Sequence, residues 1–172
     1  MREKHVYLGR FAPFHNGHKK LLSALINKVD IKNVLVLVGS SNAISKRTPY
    51  GYEDRKKIIA TSFPDIEILP LPDGKPNLEH FDGSTNEQWL KSIEELAMSR
   101  GERFKFYGGL EQDLEILAEK FETEILINRC DMKNVCSATE VRKLIEDKDY
   151  KNLEKFVDIK AMDLIINCYK NI

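Results

Sequence analysis

Residues 5–28 have the sequence HVYLGRFAPFHNGHKKLLSALINK, and this stretch decides the class of fold. Residues 5–9 are mostly apolar and indicate a short strand, whereas residues 18–28 carry leucine and isoleucine at helical spacing. The joining segment is bounded by Gly9 and Gly17, and glycine permits tight turns and close approach of the backbone to a ligand. The stretch therefore predicts a strand, a ligand-binding loop and a helix in succession.

The same alternation continues along the chain. Residues 34–39 (VLVLVG) form an unbroken β-branched and apolar run, which is typical of a strand buried on both faces. Further strands are predicted at 66–71, 104–107 and 123–127, and helices at 52–63, 86–99, 111–121, about 138–147 and 157–170. Strands separated by helices favour right-handed crossovers and a parallel sheet. We therefore expect an α/β fold: one Rossmann-like, three-layer α/β/α domain over 1–172, with a parallel five-stranded sheet and a helical C-terminal tail from about 138.

The loops that leave the strands predict the place of a binding site. In open parallel sheets, ligands bind in the crevice beyond the carboxyl ends of the strands. The segments expected around this crevice are 9–18, 39–50, 72–86, 108–110 and 129–139.

The composition excludes several classes of protein. Lysine plus arginine and aspartate plus glutamate both number 27, which argues against sequence-independent nucleic-acid binding. The first residues lack the apolar core of a signal peptide, and the longest apolar run is too short to span a membrane. The three cysteines, Cys130, Cys136 and Cys168, form no C-x-x-C pair, so we expect a reducing cytoplasm.

The loop before the first helix carries side chains suited to phosphate. A helix start exposes backbone N–H groups and a partial positive charge. His15 and His18 lie three residues apart, on one side of the first turn, and Arg10 precedes them. The alternative is a metal site, but the H-E-x-x-H pattern and a further His or Cys pair are absent, so we predict no metal bound by the protein.

A second candidate element, CSATEVR at 136–142, lies near the end of the chain. The hydroxyls of Ser137 and Thr139 stand where a helix begins, and they suit either capping or phosphate binding. Arg142 follows one turn later and can face the same anion. The alternative interpretation is a plain capping box formed by Ser137 and Glu140.

These two elements carry a resemblance to a known family. The segment G-R-F-x-P-F-H-x-G-H at 9–18 resembles the H-x-G-H motif of the nucleotidyltransferase superfamily, and more closely the compact, archaeal-type nicotinamide mononucleotide (NMN) adenylyltransferases. Residues 136–142 are similar to the family's I-S-x-T-x-x-R motif, with Cys136 in place of the apolar residue. The resemblance covers about residues 5–155.

Intermediate stretches extend it. Residues 47–50 (RTPY) resemble the family's R-x-P-F segment, and Asp54 with Arg55 resembles its E-R pair. Residues 86–89 (NEQW) are similar to its N-x-x-W, and residues 107–109 (YGG) to its glycine turn after the fourth strand.

The resemblance implies transfer of AMP from ATP to NMN, giving NAD and pyrophosphate, with Mg²⁺ accompanying ATP. The attacking phosphate is already ionised, so no general base is needed. The implied catalytic residues are Arg10, His15, His18, Arg47 and Arg142. The implied ATP-binding residues are Gly9, Arg10, Phe11, His15, Gly17, His18, Arg47, Gly108, Ser137, Thr139 and Arg142, and the implied acceptor-binding residues are Ser40, Asn86 and Trp89. By analogy with the family, we also expect a possible homo-oligomer.

Two alternatives of different classes stay open. One is a superfamily transferase that uses pantetheine phosphate, FMN or glycerol phosphate as acceptor, or CTP as donor. The signature R-T-x-G-I-S-T-T of glycerol-phosphate enzymes is absent. The other is a nucleotide sensor without catalysis, which the filled motif positions disfavour.

The acceptor itself is predicted from Trp89 and its surroundings. An indole face attracts a pyridinium ring, although Trp89 also has the spacing to pack in the core with Ile93 and Leu96. The preceding segment is acidic, which favours the amide over the acid form of the mononucleotide. Its charged residues are Asp73, Glu79, Asp82 and Glu87, against Lys75.

Overall fold

The computed structural model describes residues 1–74, 83–128 and 137–172, with only the backbone described in 83–85. Its strands form one parallel sheet in the order β3-β2-β1-β4-β5. They are β1 (Arg2–Gly9), β2 (Val34–Gly39), β3 (Glu67–Leu71), β4 (Glu102–Gly108) and β5 (Glu122–Ile125). The predicted Rossmann-like sheet of five parallel strands is confirmed.

Helices follow the strands. They are α1 (Asn16–Lys28), α2 (Tyr52–Ser62), α3 (Gly83–Ser99), α4 (Glu111–Leu114), α5 (Ala138–Glu146), α6 (Tyr150–Leu153) and α7 (Met162–Asn167). Short 3-10 helices lie at Ile31–Asn33, Leu117–Glu119 and Ile159–Ala161. Along the described part of the chain, no helix has the length and apolar character needed to cross a membrane.

Strand β2 explains the three layers. Its six residues are all buried, because successive side chains point to opposite faces and both faces are covered. Val34, Val36 and Val38 join the core beneath α1, α2 and the C-terminal helices. Leu35 and Leu37 join a second core beneath α3 and α4.

Two helix predictions are corrected. The helix expected at 111–121 stops at Leu114, and Leu117 then lies in a 3-10 helix. Leu114 and Leu117 are both buried and three residues apart, a spacing that a 3-10 turn aligns. Glu115 and Glu119 would also stand at the negative end of a longer helix.

The helix expected at 157–170 is likewise interrupted. Asp158 accepts a hydrogen bond from the Lys160 N–H and begins a 3-10 turn, so α7 covers only Met162–Asn167. The tail is therefore helical, as predicted, but in shorter pieces.

The Asp158 carboxylate joins three elements. Its Oδ2 accepts hydrogen bonds from Lys19 Nζ of α1 at 2.9 Å and from Ser62 Oγ of α2 at 2.7 Å. Burial alone would raise the pKa of Asp158, but the hydrogen bonds from Lys19, Ser62 and the Lys160 N–H outweigh it and lower the pKa to about 2. The charged carboxylate therefore ties the C-terminal tail to the helices beside the first loop.

Asp158→Asn is expected to lower the free energy of unfolding at pH 7 by about 1.5–3 kcal/mol, the range for hydrogen bonds to charged groups. Since the folded pKa lies below the unfolded one, this stabilisation is complete above pH ~4 to 5 and is lost as the pH falls towards 2. Urea denaturation at several pH values measures the free energy of unfolding of wild type and variant. The difference between the two free energies should become smaller below pH ~4.

Asp30→Asn is the matched control. Asp30 also begins a 3-10 turn, by accepting from the Lys32 N–H, but its side chain is exposed. Its replacement should cost less than about 1 kcal/mol. Equal losses for the two variants, or a difference for Asp158→Asn that does not change with pH, would contradict the buried-carboxylate account.

Candidate active site

A crevice of about 430 Å³ opens at the carboxyl ends of the strands. It lies where the strand order reverses, between β1 and β4, because the chain leaves these two neighbours in opposite directions. Nine of the residues predicted to bind ATP or acceptor line it: Gly9, Arg10, His15, Gly17, His18, Ser40, Asn86, Trp89 and Gly108.

The two histidines cap α1 reciprocally. His15 Nδ1 accepts a hydrogen bond from the Gly17 N–H at 3.1 Å, and His18 Nδ1 accepts from the His15 N–H at 3.1 Å. This is a capping box made of imidazoles rather than of Ser and Glu. Since each Nδ1 is an acceptor, the proton of each neutral ring lies on Nε2. The rings stack with centroids 3.7 Å apart, at the edge of the crevice.

Gly9 and Phe11 shape the loop in front of them. A Cβ on Gly9 would lie 2.9 Å from the Phe11 ring, so only glycine allows this contact without a shift. Phe11 itself has a φ of 51°, and its ring packs in the core 5.0 Å from the His18 ring. The Phe11 side chain thus supports the loop from behind and does not line the crevice.

Gly108 allows a second close approach. A Cβ there would lie 3.1 Å from Leu114 Cγ, within the core beneath α4. The glycine turn after β4 therefore lets α4 pack against the wall of the crevice.

Three arginines from distant parts of the chain come together beside the crevice. Burial lowers the pKa of Arg10, and the Arg47 charge lowers it further, while Asp73 raises it. Burial also lowers the pKa of Arg142; Tyr169 opposes that shift, and the Arg47 and Arg10 charges add to it. Positive charges this close to Arg10 and Arg142 favour an anion beside them.

The surroundings of Arg142 and Arg47 differ. Arg142 donates to the Ala12 carbonyl at 3.0 Å and to Thr139 Oγ1 at 3.2 Å, which ties α5 to the first loop. Arg47 is exposed, on a tight turn that hydrogen bonds between Ser45 and Thr48 close. Neither guanidinium lines the crevice itself. Both lie near Arg10, since the Arg47 charge lowers the pKa of Arg10 and the Arg10 charge lowers the pKa of Arg142.

The capping box predicted as the alternative for the second motif is present. Ser137 Oγ accepts from the Glu140 N–H at 3.1 Å, and Glu140 Oε2 accepts from the Ser137 N–H at 3.0 Å. Ser137 and Thr139 lie outside the crevice lining. The Ser137 hydroxyl keeps its own proton for donation, so capping and phosphate binding are compatible.

Trp89 satisfies both of its predicted positions. It is half-buried against the core that contains Ile93, and it also lines the crevice near Asn86. Of the acidic residues preceding it, Asp73 lines the crevice, whereas Glu79 and Asp82, with Lys75, lie outside the described residues. Cys130 and Cys136 also lie outside them.

Sequence reasoning assigned no role to Arg55, which the structure places behind the first loop. Arg55 is completely buried and donates to the carbonyls of Arg10 and Gly39 at 3.0 and 2.9 Å. Two signals were available: its place in the pair that resembles the family's E-R pair, and its position on the apolar face of α2, at helical spacing from Ile58 and Ile59.

Asp73 was noted only for its charge. Its backbone is held by reciprocal hydrogen bonds with the Asn42 side chain at 2.8 and 2.9 Å, which places the carboxylate in the crevice near Arg10. Among the described ranges 1–74, 83–128 and 137–172, no group of three or more His, Cys, Asp or Glu side chains is arranged to hold a metal ion.

The chain is similar to several known proteins. It is 25% identical to the nicotinamide-nucleotide adenylyltransferase of Thermococcus kodakarensis, over 89% of this chain and 78% of the relative, which confirms the resemblance to the archaeal enzymes. The fold is shared with a bifunctional NMN adenylyltransferase/ADP ribose pyrophosphatase of Francisella tularensis, at a TM-score of 0.63 and 20% identity. The match covers 97% of this chain and 53% of that one.

A further structural match is the nicotinic acid mononucleotide adenylyltransferase of Plasmodium falciparum complexed with APC. It has a TM-score of 0.60 and 18% identity, and the match covers 97% of this chain and 96% of that chain. The cytidylyltransferase-like family model matches residues 6–144, a range that includes the capped start of α1, the Arg47 turn and Arg142. This chain therefore belongs to the cytidylyltransferase-like family.

Proposed function

We propose that the protein transfers AMP from ATP to NMN and releases pyrophosphate, with NAD as the product. The observation that carries the proposal is a single crevice with an arginine- and imidazole-bearing helix start on one side and Trp89 with Asn86 on another. The first side suits phosphates, and the second suits a flat pyridinium ring. Relatives named nicotinamide-nucleotide adenylyltransferase support it.

The reaction needs positioning more than acid–base chemistry. An ionised phosphate oxygen of the acceptor attacks the α-phosphorus of ATP and forms a P–O bond. The bond from the α-phosphorus to the bridging oxygen of the β-phosphate breaks, and pyrophosphate leaves with the electron pair. The protein must bring two anions together in line and stabilise the charge that moves to the leaving group.

The side chains divide this work by location. His15 and His18 present Nε2–H groups once their Nδ1 atoms accept from the backbone, and these donors suit phosphate oxygens. Arg10, within the first loop, and Arg142, tied to that loop through the Ala12 carbonyl, supply fixed charge. Arg47 is exposed on its turn and is proposed to reach over a bound triphosphate.

Several of the remaining predicted site residues act through the backbone in this proposal. Gly9 and Gly17 let N–H groups approach phosphate, while Phe11 holds the loop from the core. Gly108 shapes the crevice wall, and Ser137 with Thr139 begins α5 beside Arg142. Ser40, Asn86 and Trp89 contact the acceptor.

Mg²⁺ accompanies ATP in this proposal. The ion prefers oxygen ligands and keeps several waters, so the phosphate oxygens supply most of its coordination. The crevice fits this arrangement, since Asp73 offers a carboxylate near Arg10. When bound, the ion supplies positive charge to the leaving pyrophosphate. A structure of the Francisella protein with AMP and a Mn ion supports a divalent cation.

We also make four wider proposals. The whole chain forms a single domain, its location is the cytoplasm, and it assembles as a homo-oligomer without binding nucleic acid. Within the described residues, Cys168 forms no disulfide.

The proposal is tested by incubating the protein and Mg²⁺ with ATP or CTP and a panel of acceptors, with pyrophosphate release as the readout. ATP with NMN should give the fastest release and a stoichiometric amount of NAD. Faster release with pantetheine phosphate, FMN, glycerol phosphate or CTP would assign another transferase. No release with any pair, despite ATP binding, would indicate a sensor.

His18→Ala should lower kcat by about 10²- to 10³-fold, with a much smaller change in the KM for ATP, since the lost donor acts on developing charge. His18→Asn is the informative partner, because its side-chain oxygen can still accept from the His15 N–H. It should keep the thermal stability of the wild type and still lose kcat. A variant that is unstable but fully active would return His18 to a purely capping role.

Trp89→Ala should reduce kcat/KM for both pyridine mononucleotides by roughly 2- to 30-fold, the equivalent of an indole–pyridinium contact worth 0.5–2 kcal/mol. Wild type should prefer the amide, because the Asp73 carboxylate lines the same crevice and repels an acidic ring substituent. Steady-state kinetics with both acceptors measures this, with Trp89→Phe as the control that keeps an aromatic face. Preference for the acid form would refute the charge argument.

A further inference from the structure

Arg55 is a buried cation whose hydrogen bonds all end on backbone carbonyls within the described residues. Its Nη1 donates to Arg10 O at 3.0 Å and to Gly39 O at 2.9 Å. Its Nη2 donates to Ser40 O at 3.1 Å and, more weakly, to Ser41 O at 3.4 Å. No part of Arg55 lines the crevice. The guanidinium thus joins the loop after β1 to the loop after β2 without reaching a ligand.

These two loops are held in unusual backbone conformations. Phe11 has a φ of 51° and Ser40 a φ of 48°, in the left-handed region that glycine tolerates best. Arg55 binds the carbonyl of Arg10, which belongs to the peptide unit that leads into Phe11, and the carbonyl of Ser40 itself. Non-glycine residues stay in this region only where the surroundings impose it. The hydrogen bonds of Arg55 provide this constraint next to Phe11 and at Ser40.

The same bonds direct the negative ends of the carbonyl dipoles. Four oxygens of the loops around the crevice point to Arg55 instead of to a bound anion. In a trans peptide the N–H points opposite to the C=O, so the Arg10 and Gly39 carbonyls turn the N–H groups of Phe11 and Ser40 away from Arg55. A phosphate-binding loop needs this polarity.

The guanidinium also keeps its charge. Burial lowers the pKa of Arg55 to about 10, with the Arg10 charge in the same direction and Asp73 opposed. Arg55 is therefore protonated at pH 7, and its positive charge stands behind Arg10. Orientation of the loops and positive potential at the site thus come from one buried side chain.

We propose that Arg55 is a positioning residue for phosphate binding and transfer: it holds the loops after β1 and β2 in their ligand-binding shape and touches neither substrate. The inference rests on the proposed adenylyl transfer. Arg55 would then serve ligand binding as well as stability.

The test compares Arg55→Lys and Arg55→Gln with a matched buried cation at the opposite end of the sheet. Lys4 is also buried, and its Nζ donates to the Lys32 carbonyl at 2.9 Å and pairs with Glu67 at 3.1 Å. Lys4→Met therefore controls for the loss of a buried cation far from the crevice. For each protein, Tm, pyrophosphate binding by calorimetry, and kcat and KM for ATP and NMN are measured.

Arg55→Lys keeps a charge but lacks the planar fork, so it cannot hold all of the carbonyls in place. We expect kcat to fall about 10- to 100-fold, as small misplacements of reacting groups do, with weaker pyrophosphate binding. Arg55→Gln should bind pyrophosphate more weakly still. Lys4→Met should lower Tm by at least as much as Arg55→Lys does, while kcat stays within about twofold of wild type.

A second substitution tests the loop itself. Ser40→Gly in the Arg55→Lys background should recover part of the lost pyrophosphate binding, because glycine adopts the left-handed φ without the help of Arg55. Pyrophosphate binding is the readout because the Ser40 side chain is itself proposed to contact the acceptor. A kcat for Arg55→Lys within about twofold of wild type, or an equal loss in Lys4→Met, would overturn the proposal. So would failure of both Arg55 variants to fold, since Arg55 would then serve the fold.

The positioning role of Arg55 and the proposed adenylyl transfer are contradicted by different results. If wild type binds pyrophosphate and Arg55→Lys binds it more weakly, the positioning role survives even where NMN is not the acceptor. If wild type transfers AMP to NMN and the Arg55 variants are as active, the positioning role fails and the proposed function stands.

Discussion

The rest of the structure depends on the reversal of strand order at β1. The sheet runs β3-β2-β1-β4-β5, so the chain leaves β1 towards α1 on one face and leaves β4 towards α4 on the other. Two neighbouring strands therefore open a crevice at their carboxyl ends without any change in the sheet itself. The side chains of the site act by holding the loops at this opening in one conformation.

The first such constraint links local capping to electrostatics. A helix start needs acceptors for its exposed N–H groups, and a phosphate would serve as well as a side chain. Here the imidazoles of His15 and His18 take the two capping positions with Nδ1, which fixes their proton on Nε2 and orients both rings. The residues that complete the helix thus become donors at its edge. Arg55 does the corresponding work for the carbonyls of the same loop.

Much of this could be predicted from local sequence. The composition of β2 alone predicts a strand covered on both faces, and the spacing of His15 and His18 places them on one helical turn. The helix expected at 111–121 was wrong because Leu114 and Leu117 satisfy both a helical and a 3-10 spacing, and only packing against the sheet chooses between them. The bonds of Arg55 depend on tertiary structure, since the Arg10 carbonyl lies 45 residues away in sequence. Motif comparison marks such a residue, but its partners come only from the fold.

The two ends of the sheet differ in how their positive charges are balanced. At the amino ends of the strands, cations and carboxylates pair fully: Glu102 accepts from Arg2 at 2.7 Å and Arg100 at 2.5 Å, and Glu67 pairs with Arg100 at 2.8 Å. At the carboxyl ends, Arg10 lies near Asp73, and Arg142 donates to the neutral Ala12 carbonyl. Burial and the Arg47 charge lower the pKa values of both arginines. The arginines here outnumber the carboxylates that act on them, and such an excess of positive charge is destabilising in isolation and favourable once an anion enters. At the amino ends of the strands, ion pairs within the protein supply stabilising free energy. At the carboxyl ends, a bound polyphosphate would supply it.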